Sequence, residues 1–335
     1  MVSNFWKNRK VFVTGATGFL GSWLTAELIN QGACVLALIR DQVPESNFNL
    51  MELCQRTVIV NGSVSDLEVV SRAFQEYEIE YCFHVAAQAI VGFANQDPLA
   101  TFESNIKGTW VMLEAARRAP TLKGMVVASS DKAYGAQQIP YREDAPLLGR
   151  NPYDVSKVCT DQLAQCYAKT FDLPVVMTRC ANLFGGGDLN FSRVIPGTVR
   201  SLLLEESPII RSDGSPIRDY LYILDAVKGY LLLGEHVAEK RFQGEAFNFG
   251  TAEPISVLNL VKRTLKVSGK EHLSPAILGK GKMTGEIDQQ YLDIEKAKKW
   301  LNWTPAFSLE EALRETCRWY QKFFENHKSC LLDDK

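Results

Sequence analysis

The stretch "VFVTGATGFLGSWL" at residues 11–24 constrains this chain more than any other. A β-branched run stops at Gly15, and glycines recur at 18 and 21. Apolar residues at helical spacing follow in "SWLTAELINQG" (22–32), ending on Gly32, a suitable C-terminal stop. Strand, tight glycine turn and helix together let a backbone approach a pyrophosphate and aim a helix N-terminus at it. The spacing is G-x-x-G-x-x-G rather than G-x-G-x-x-G, so the flanking strand and helix carry the inference toward a dinucleotide site.

The rest of the first half repeats that alternation. Short buried strands are predicted at "CVLALI" (34–39), "TVIV" (57–60), "YCFHVAA" (81–87), "GMVVAS" (124–129) and "PVVMTR" (174–179), with helical patterns such as "DLEVVSRAFQEY" and "NIKGTWVMLEAARR" between them. Continuous apolar strands separated by helices predict a parallel sheet covered on both faces. After about residue 180 glycines and prolines cluster between shorter elements, and the tail from Ser308 reads as a helix. The expected architecture is α/β: a Rossmann-type doubly wound parallel sheet with a smaller C-terminal substrate-binding lobe. Residues 1–180 form the dinucleotide-binding domain, with 217–250 returning to it, and 181–335 form mainly the lobe.

Composition closes off other classes. The net charge is −2 with Lys and Arg scattered, which argues against nucleic acid or an anionic membrane as partner. Eight cysteines without a C-x-x-C pair read as reduced thiols of a cytoplasmic protein rather than metal ligands, so no metal is expected. No apolar run approaches membrane-spanning length, and the early first strand leaves no room for a signal peptide.

Two clusters suggest chemistry. "NPYDVSK" sets Tyr153 and Lys157 four residues apart behind Pro152, a good first-turn residue, so both project from one helical face. A phenol with its usual pKa of about 10 is a poor base; a neighbouring ammonium brings it toward working pH. "SSDKAYG" places Ser130, Asp131 and Lys132 in a row at the end of the "GMVVA" strand. The second strand ends "ALIRDQ", with Ile39 where an NAD-selecting acid is expected and Arg40 next. Arg40 tilts the choice toward NADP, since a guanidinium grips a phosphate with two bonds; a solvated charge is the alternative.

With "TGATGFLG", "HVAAQ", "SSDKAYG", "NPYDVSK", "RCANLFGGGD", "IRDYLYILDAVKGYLLL" and "LNWTPAFSLEEAL" in place, the chain resembles the extended short-chain dehydrogenase/reductase family over nearly its whole length. Its nucleotide-sugar epimerases and 4,6-dehydratases are the members it is most similar to. The resemblance implies a tightly bound, recycled NAD or NADP on Gly15, Thr17, Gly18, Phe19, Leu20, Gly21, Arg40, Ser63, Val64, Ala86, Ala87, Tyr153 and Lys157. At "NGSVSD" the family usually has an acid where Ser63 stands, a departure at the adenine end.

An Asp-Lys pair after Ser or Thr resembles the CDP-glucose 4,6-dehydratases and some carbon-5-inverting UDP-N-acetylglucosamine dehydratases; the 4-epimerases normally lack it. In that reading Tyr153 is base on the 4-hydroxyl, Ser130 holds that hydroxyl, and Lys157 binds the nicotinamide ribose and lowers the tyrosine pKa. Lys132 is base at carbon 5 and Asp131 acid at the 6-hydroxyl, or the two exchange roles. Gln88, Asn182, Arg193 and Arg218 contact the nucleotide sugar, with the arginines on its diphosphate. Helices near 97–117 and 153–171 are where such chains pair as homodimers. A 4-epimerase or a carbon-5-inverting UDP-N-acetylglucosamine 4,6-dehydratase is the nearest rival, and a non-catalytic dinucleotide sensor a more distant one.

Overall fold

Alternation inside the short apolar runs decides which face of the sheet each residue covers. Val11 and Val13 join one buried cluster with Trp6, Leu24 and Tyr230. Phe12, pointing the other way, joins a second with Phe74 and Met112. The rings of Phe12 and Phe74 meet edge-on at 5.2 Å, and burying a side chain of that size contributes about 2–3 kcal/mol. The structure, a computed structural model, describes residues 4–279 and 287–327.

The strands are β1 (Lys10–Thr14), β2 (Cys34–Ile39), β3 (Val58–Asn61), β4 (Tyr81–His84), β5 (Gly124–Ala128), β6 (Val175–Cys180) and β7 (Asn182–Phe184). There follow β8 (Ile209–Ile210), β9 (Ile217–Arg218), β10 (Tyr220–Tyr222), β11 (Ala246–Phe249), β12 (Ile255–Ser256), β13 (Ala276–Ile277) and β14 (Gln289–Gln290). Seven make one sheet in the order β11-β6-β5-β4-β1-β2-β3, every pair parallel. Strand order reverses between β1 and β4, and in such sheets ligands bind beyond the carboxyl ends of the strands at that reversal.

The helices Phe19–Asn30 and Ile223–His236 cover one face, and Leu67–Glu76, Gly108–Arg117 and Pro152–Phe171 the other. β7 and β10 pair beside the sheet. A three-stranded strip, β12-β9-β14, and the short pair β13-β8 complete the lobe. A further cluster around Phe184, Ile195, Tyr222, Leu313 and Tyr320 forms its core. The last helix, Leu309–Asn326, starts at a capping box between Ser308 and Glu311.

One flank of the first helix belongs to that lobe core, since Leu20 and Trp23 pack against it. Trp23 Nε1 also donates to the Gly186 carbonyl at 2.8 Å. Any side chain at 186 would lie 2.1 Å from Trp319, so only glycine passes beneath that ring.

A buried polar network fixes the helix that carries Tyr153. Asp161 takes Arg179 in a two-bond grip of 2.8 and 2.9 Å, both side chains being almost fully buried. Arg179 Nη1 also donates to the Tyr134 hydroxyl at 2.8 Å, which in turn donates to Asn248 Oδ1 at 2.8 Å. The helix Pro152–Phe171, the turn after β5, β6 and β11 are thereby tied together.

Candidate active site

The glycine turn leaves β1 at the reversal point. Gly15 has φ +70°, and a Cβ on it would lie 2.8 Å from the backbone of Ala86. A Cβ on Gly21 would lie 2.0 Å from the Gly15 carbonyl oxygen. The turn closes with Gly18 N donating to Gly15 O at 2.9 Å, and Gly18 caps the helix Phe19–Asn30. Gly18 is exposed on the turn and Thr17 half-buried, while Phe19 and Leu20 lean on the lobe. Backbone this bare at a helix N-terminus, with side chains excluded by contact rather than by chance, fits a dinucleotide diphosphate.

After β4 the chain is held by a hydrogen-bonded relay. Ala86 N donates to Thr14 Oγ1 at 3.1 Å, and Thr14 Oγ1 meets His84 Nδ1 at 2.9 Å. His84 Nε2 meets Thr109 Oγ1 at 3.3 Å. Burial first, and Lys157 second, hold His84 down at about 3, so it is a neutral packed residue. Gln88 is fixed through its backbone, its N–H donating to Asn105 Oδ1 at 2.7 Å and its carbonyl accepting from Asn105 Nδ2 at 3.0 Å.

At the end of β5, Ser130 caps the short turn Asp131–Tyr134 and accepts from Lys132 N at 3.2 Å. Its hydroxyl donates to Asp131 Oδ1 at 3.2 Å. Lys132 Nζ lies 3.4 Å from Asp131 Oδ2, with Asp131 buried and Lys132 mostly so. Tyr153 is buried and pushed up to about 12 by that burial, while its hydrogen bond with Ser130 acts to lower it. Lys157 is buried and drawn down to about 8 by burial, its Nζ donating to the Ala128 carbonyl at 2.7 Å. The expected lowering of Tyr153 by Lys157 is therefore not what this geometry gives: desolvation dominates, and the ammonium is turned to a backbone oxygen.

The remaining expected residues spread along the sheet edge and lobe. Arg40 is exposed at the end of β2 and pairs with Asp41 at 2.6 Å. Ser63 Oγ meets Ser65 Oγ at 2.9 Å, and Val64 is buried against Gly108, where a Cβ would come within 2.6 Å of it. Ala87 is partly exposed beside Ala86. In the lobe, Asn182 Nδ2 donates to the Asp219 carbonyl at 3.2 Å, and Arg193 Nη1 pairs with Asp188 at 2.9 Å. Arg193 also stands near enough to Tyr153 to lower it electrostatically. Arg218 Nη1 donates to the carbonyls of Ile217 and Asp288, at 2.8 and 3.2 Å.

The structure thus gathers Ser130, Asp131, Lys132, Tyr153 and Lys157 at one strand end and leaves Arg40, Ser63 and Val64 at the far side of the sheet edge. Two residues escaped the sequence reading. Asn105 is buried and also donates to Ser156 Oγ at 2.9 Å; its place one helical turn before Thr109 was the available signal. Gln290 is buried on β14 and touches both Asp131 and Lys132; nothing in "DQQYLD" singles it out.

A reversal-point glycine turn, a Tyr-Lys pair on one helical face and a polar strand end between them define an extended short-chain dehydrogenase/reductase. The chain belongs, more narrowly, to the NAD dependent epimerase/dehydratase family, whose pattern matches residues 11–250. It is 31% identical to the CDP-glucose 4,6-dehydratase of Salmonella typhimurium over 95% of this chain and 92% of that one. It is similar to the UDP-glucose 4-epimerase of Thermotoga maritima, solved with UDP-glucose, at TM-score 0.85 and 29% identity, covering 94% of this chain and 99% of that one. It is similar also to the dTDP-glucose 4,6-dehydratase of Streptomyces venezuelae, solved with NAD, at TM-score 0.85 and 25% identity, covering 96% and 99%. Among the described residues no helix is long and apolar enough to cross a membrane.

Proposed function

We propose that the protein is a nucleotide-sugar 4,6-dehydratase acting on an NDP-hexose, with CDP-glucose the first substrate to test. The observation that carries the reading is the Asp131–Lys132 pair, 3.4 Å apart at the strand end beside Tyr153. A 4-epimerase has no step for such a pair; an elimination needs both an acid and a base.

The glycine turn and the helix behind it would hold the diphosphate of NAD, and Lys157 and Tyr153 its nicotinamide ribose. Arg40, which alone would favour NADP, is engaged by Asp41 at 2.6 Å, and that neighbouring carboxylate supports NAD over NADP. Bound there, NAD would supply a hydride acceptor for sugar carbon 4, a hydride donor for carbon 6 and a positive charge that favours the Tyr153 phenolate. Tyr153 takes the proton of the 4-hydroxyl, which Ser130 orients. The resulting ketone acidifies the proton on carbon 5. Lys132 takes that proton, and Asp131 protonates the departing 6-hydroxyl, which leaves as water.

Those roles require neutral amine and neutral acid. One proton passed across the 3.4 Å Asp131–Lys132 contact supplies both. Arg193 and Arg218 are assigned to the diphosphate and Asn182 and Gln88 to the sugar end. A homodimer would form through the helices near 97–117 and 153–171, on which Leu99, Trp110 and Phe171 are exposed.

The test is a panel of CDP-, dTDP-, UDP- and GDP-glucose with NAD. Loss of one water by mass and alkaline absorbance of a 4-keto sugar are expected, with Lys132→Ala binding NAD normally and forming no product. An unchanged mass with carbon 4 inverted refutes the dehydratase; full dehydration by Lys132→Ala refutes that residue's role.

A further inference from the structure

We infer that Gln290 is a positioning residue for proton transfer at sugar carbon 5, a role that rests on the dehydratase reading above. Its side chain is 1% exposed, and both ends of its amide are in use. Oε1 accepts from Lys132 Nζ at 2.5 Å, and Nε2 donates to the Asp131 backbone carbonyl at 3.0 Å. The direct Lys132–Asp131 contact, at 3.4 Å, is long for a charge-assisted bond. The amine at the end of a flexible stem therefore takes its direction from Gln290 rather than from its acidic neighbour.

The chemistry makes that contact matter more as the reaction proceeds. The neutral amine of Lys132 takes the carbon-5 proton and becomes ammonium. The C–H electron pair moves into the enolate of the 4-ketone and expels the 6-hydroxyl, which departs as water with a proton from Asp131. The ammonium returns a proton to carbon 5 as carbon 6 is reduced. Positive charge thus develops on Nζ against the Gln290 carbonyl oxygen, an interaction stronger in the transition state than before it. The placement also ties the clamp to the substrate lobe. Gln290 on β14 lies opposite Arg218 on β9, so one strip carries both the clamp and a candidate diphosphate arginine.

The test compares substrate deuterated at carbon 5 with substrate deuterated at carbon 4, using wild type and Gln290→Met. The variant should keep its NAD affinity by fluorescence titration and its KM, with kcat lowered roughly 10- to 100-fold, the equivalent of one hydrogen bond to a charge. Its carbon-5 isotope effect should grow while the carbon-4 effect fades. If Gln290→Met does not fold, Gln290→Glu is read the same way, since a carboxylate there holds the amine as ammonium and slows the same step. An unchanged rate, or a uniform slowing with the wild-type isotope pattern, overturns the assignment and leaves the dehydratase standing. A wild type that inverts carbon 4 without losing water overturns both.

Discussion

Replacing Lys157 with methionine should make the protein more stable at neutral pH, and the pH dependence of the gain identifies its cause. Burial draws Lys157 from an ordinary 10.5 to about 8. A lysine lowered on folding binds its proton less tightly in the native state than in the unfolded one. Below about 8 both states are protonated and the folded state bears the whole penalty. Between about 8 and 10.5 the native amine gives up its proton while the unfolded one keeps it, so stability rises with pH. Above 10.5 the penalty is gone. At 1.36 kcal/mol per pKa unit it amounts to about 3 kcal/mol at pH 7.

Methionine, of similar length and flexibility, fills the space without the charge. It also leaves the Ala128 carbonyl without the 2.7 Å bond from Nζ, a loss of about 1–2 kcal/mol. The variant should therefore exceed wild type by about 1–2 kcal/mol at pH 7 and fall below it by a similar amount above pH 10.5. Urea unfolding of both proteins without nucleotide, from pH 6.5 to 10.5, measures the difference directly. A difference that stays constant across that range refutes the reasoning, because it would mean that Lys157 titrates alike in both states. Catalytic activity should be lost throughout.

Two further substitutions probe the frame. Gly21→Ala puts a methyl 2.0 Å from the Gly15 carbonyl oxygen, so NAD affinity should drop at least tenfold in a calorimetric titration; wild-type affinity would show that the turn is not the phosphate cradle. Asp161→Asn removes one charge of a buried pair and should cost about 3–5 kcal/mol in urea unfolding, with a loss below 1 kcal/mol counting against the network as an anchor of the Tyr153 helix.

What could be read from the sequence followed the length of each element. β1 and β2 fall where their apolar runs place them, and β3, β5 and β6 shift by about a residue. The first helix begins at Phe19, three residues before its apolar run, because Gly18 acts as its cap. β4 stops at His84 rather than 87, since residues 85–88 turn to bind Thr14 and Asn105. Tyr153 and Lys157 were legible because a four-residue spacing on a helix is a geometric statement. Their titration was not, because burial is decided by β5, β6 and the lobe together. The strip β12-β9-β14 is built from two-residue strands, too short for any periodicity, and Gln290 lies within it.

The bond from Trp23 to Gly186 makes the first helix the shared property of two layers. Its leading end faces the glycine turn, while its flank is fastened to the lobe beneath Trp319. A rotation of the lobe about that seam would have to shear the indole from its carbonyl or drag the glycine-turn end of the helix with it. On this side of the molecule sheet and lobe are fastened together. In the reaction proposed above the nucleotide would be regenerated in place, and a cradle fastened to the lobe suits holding it from one turnover to the next.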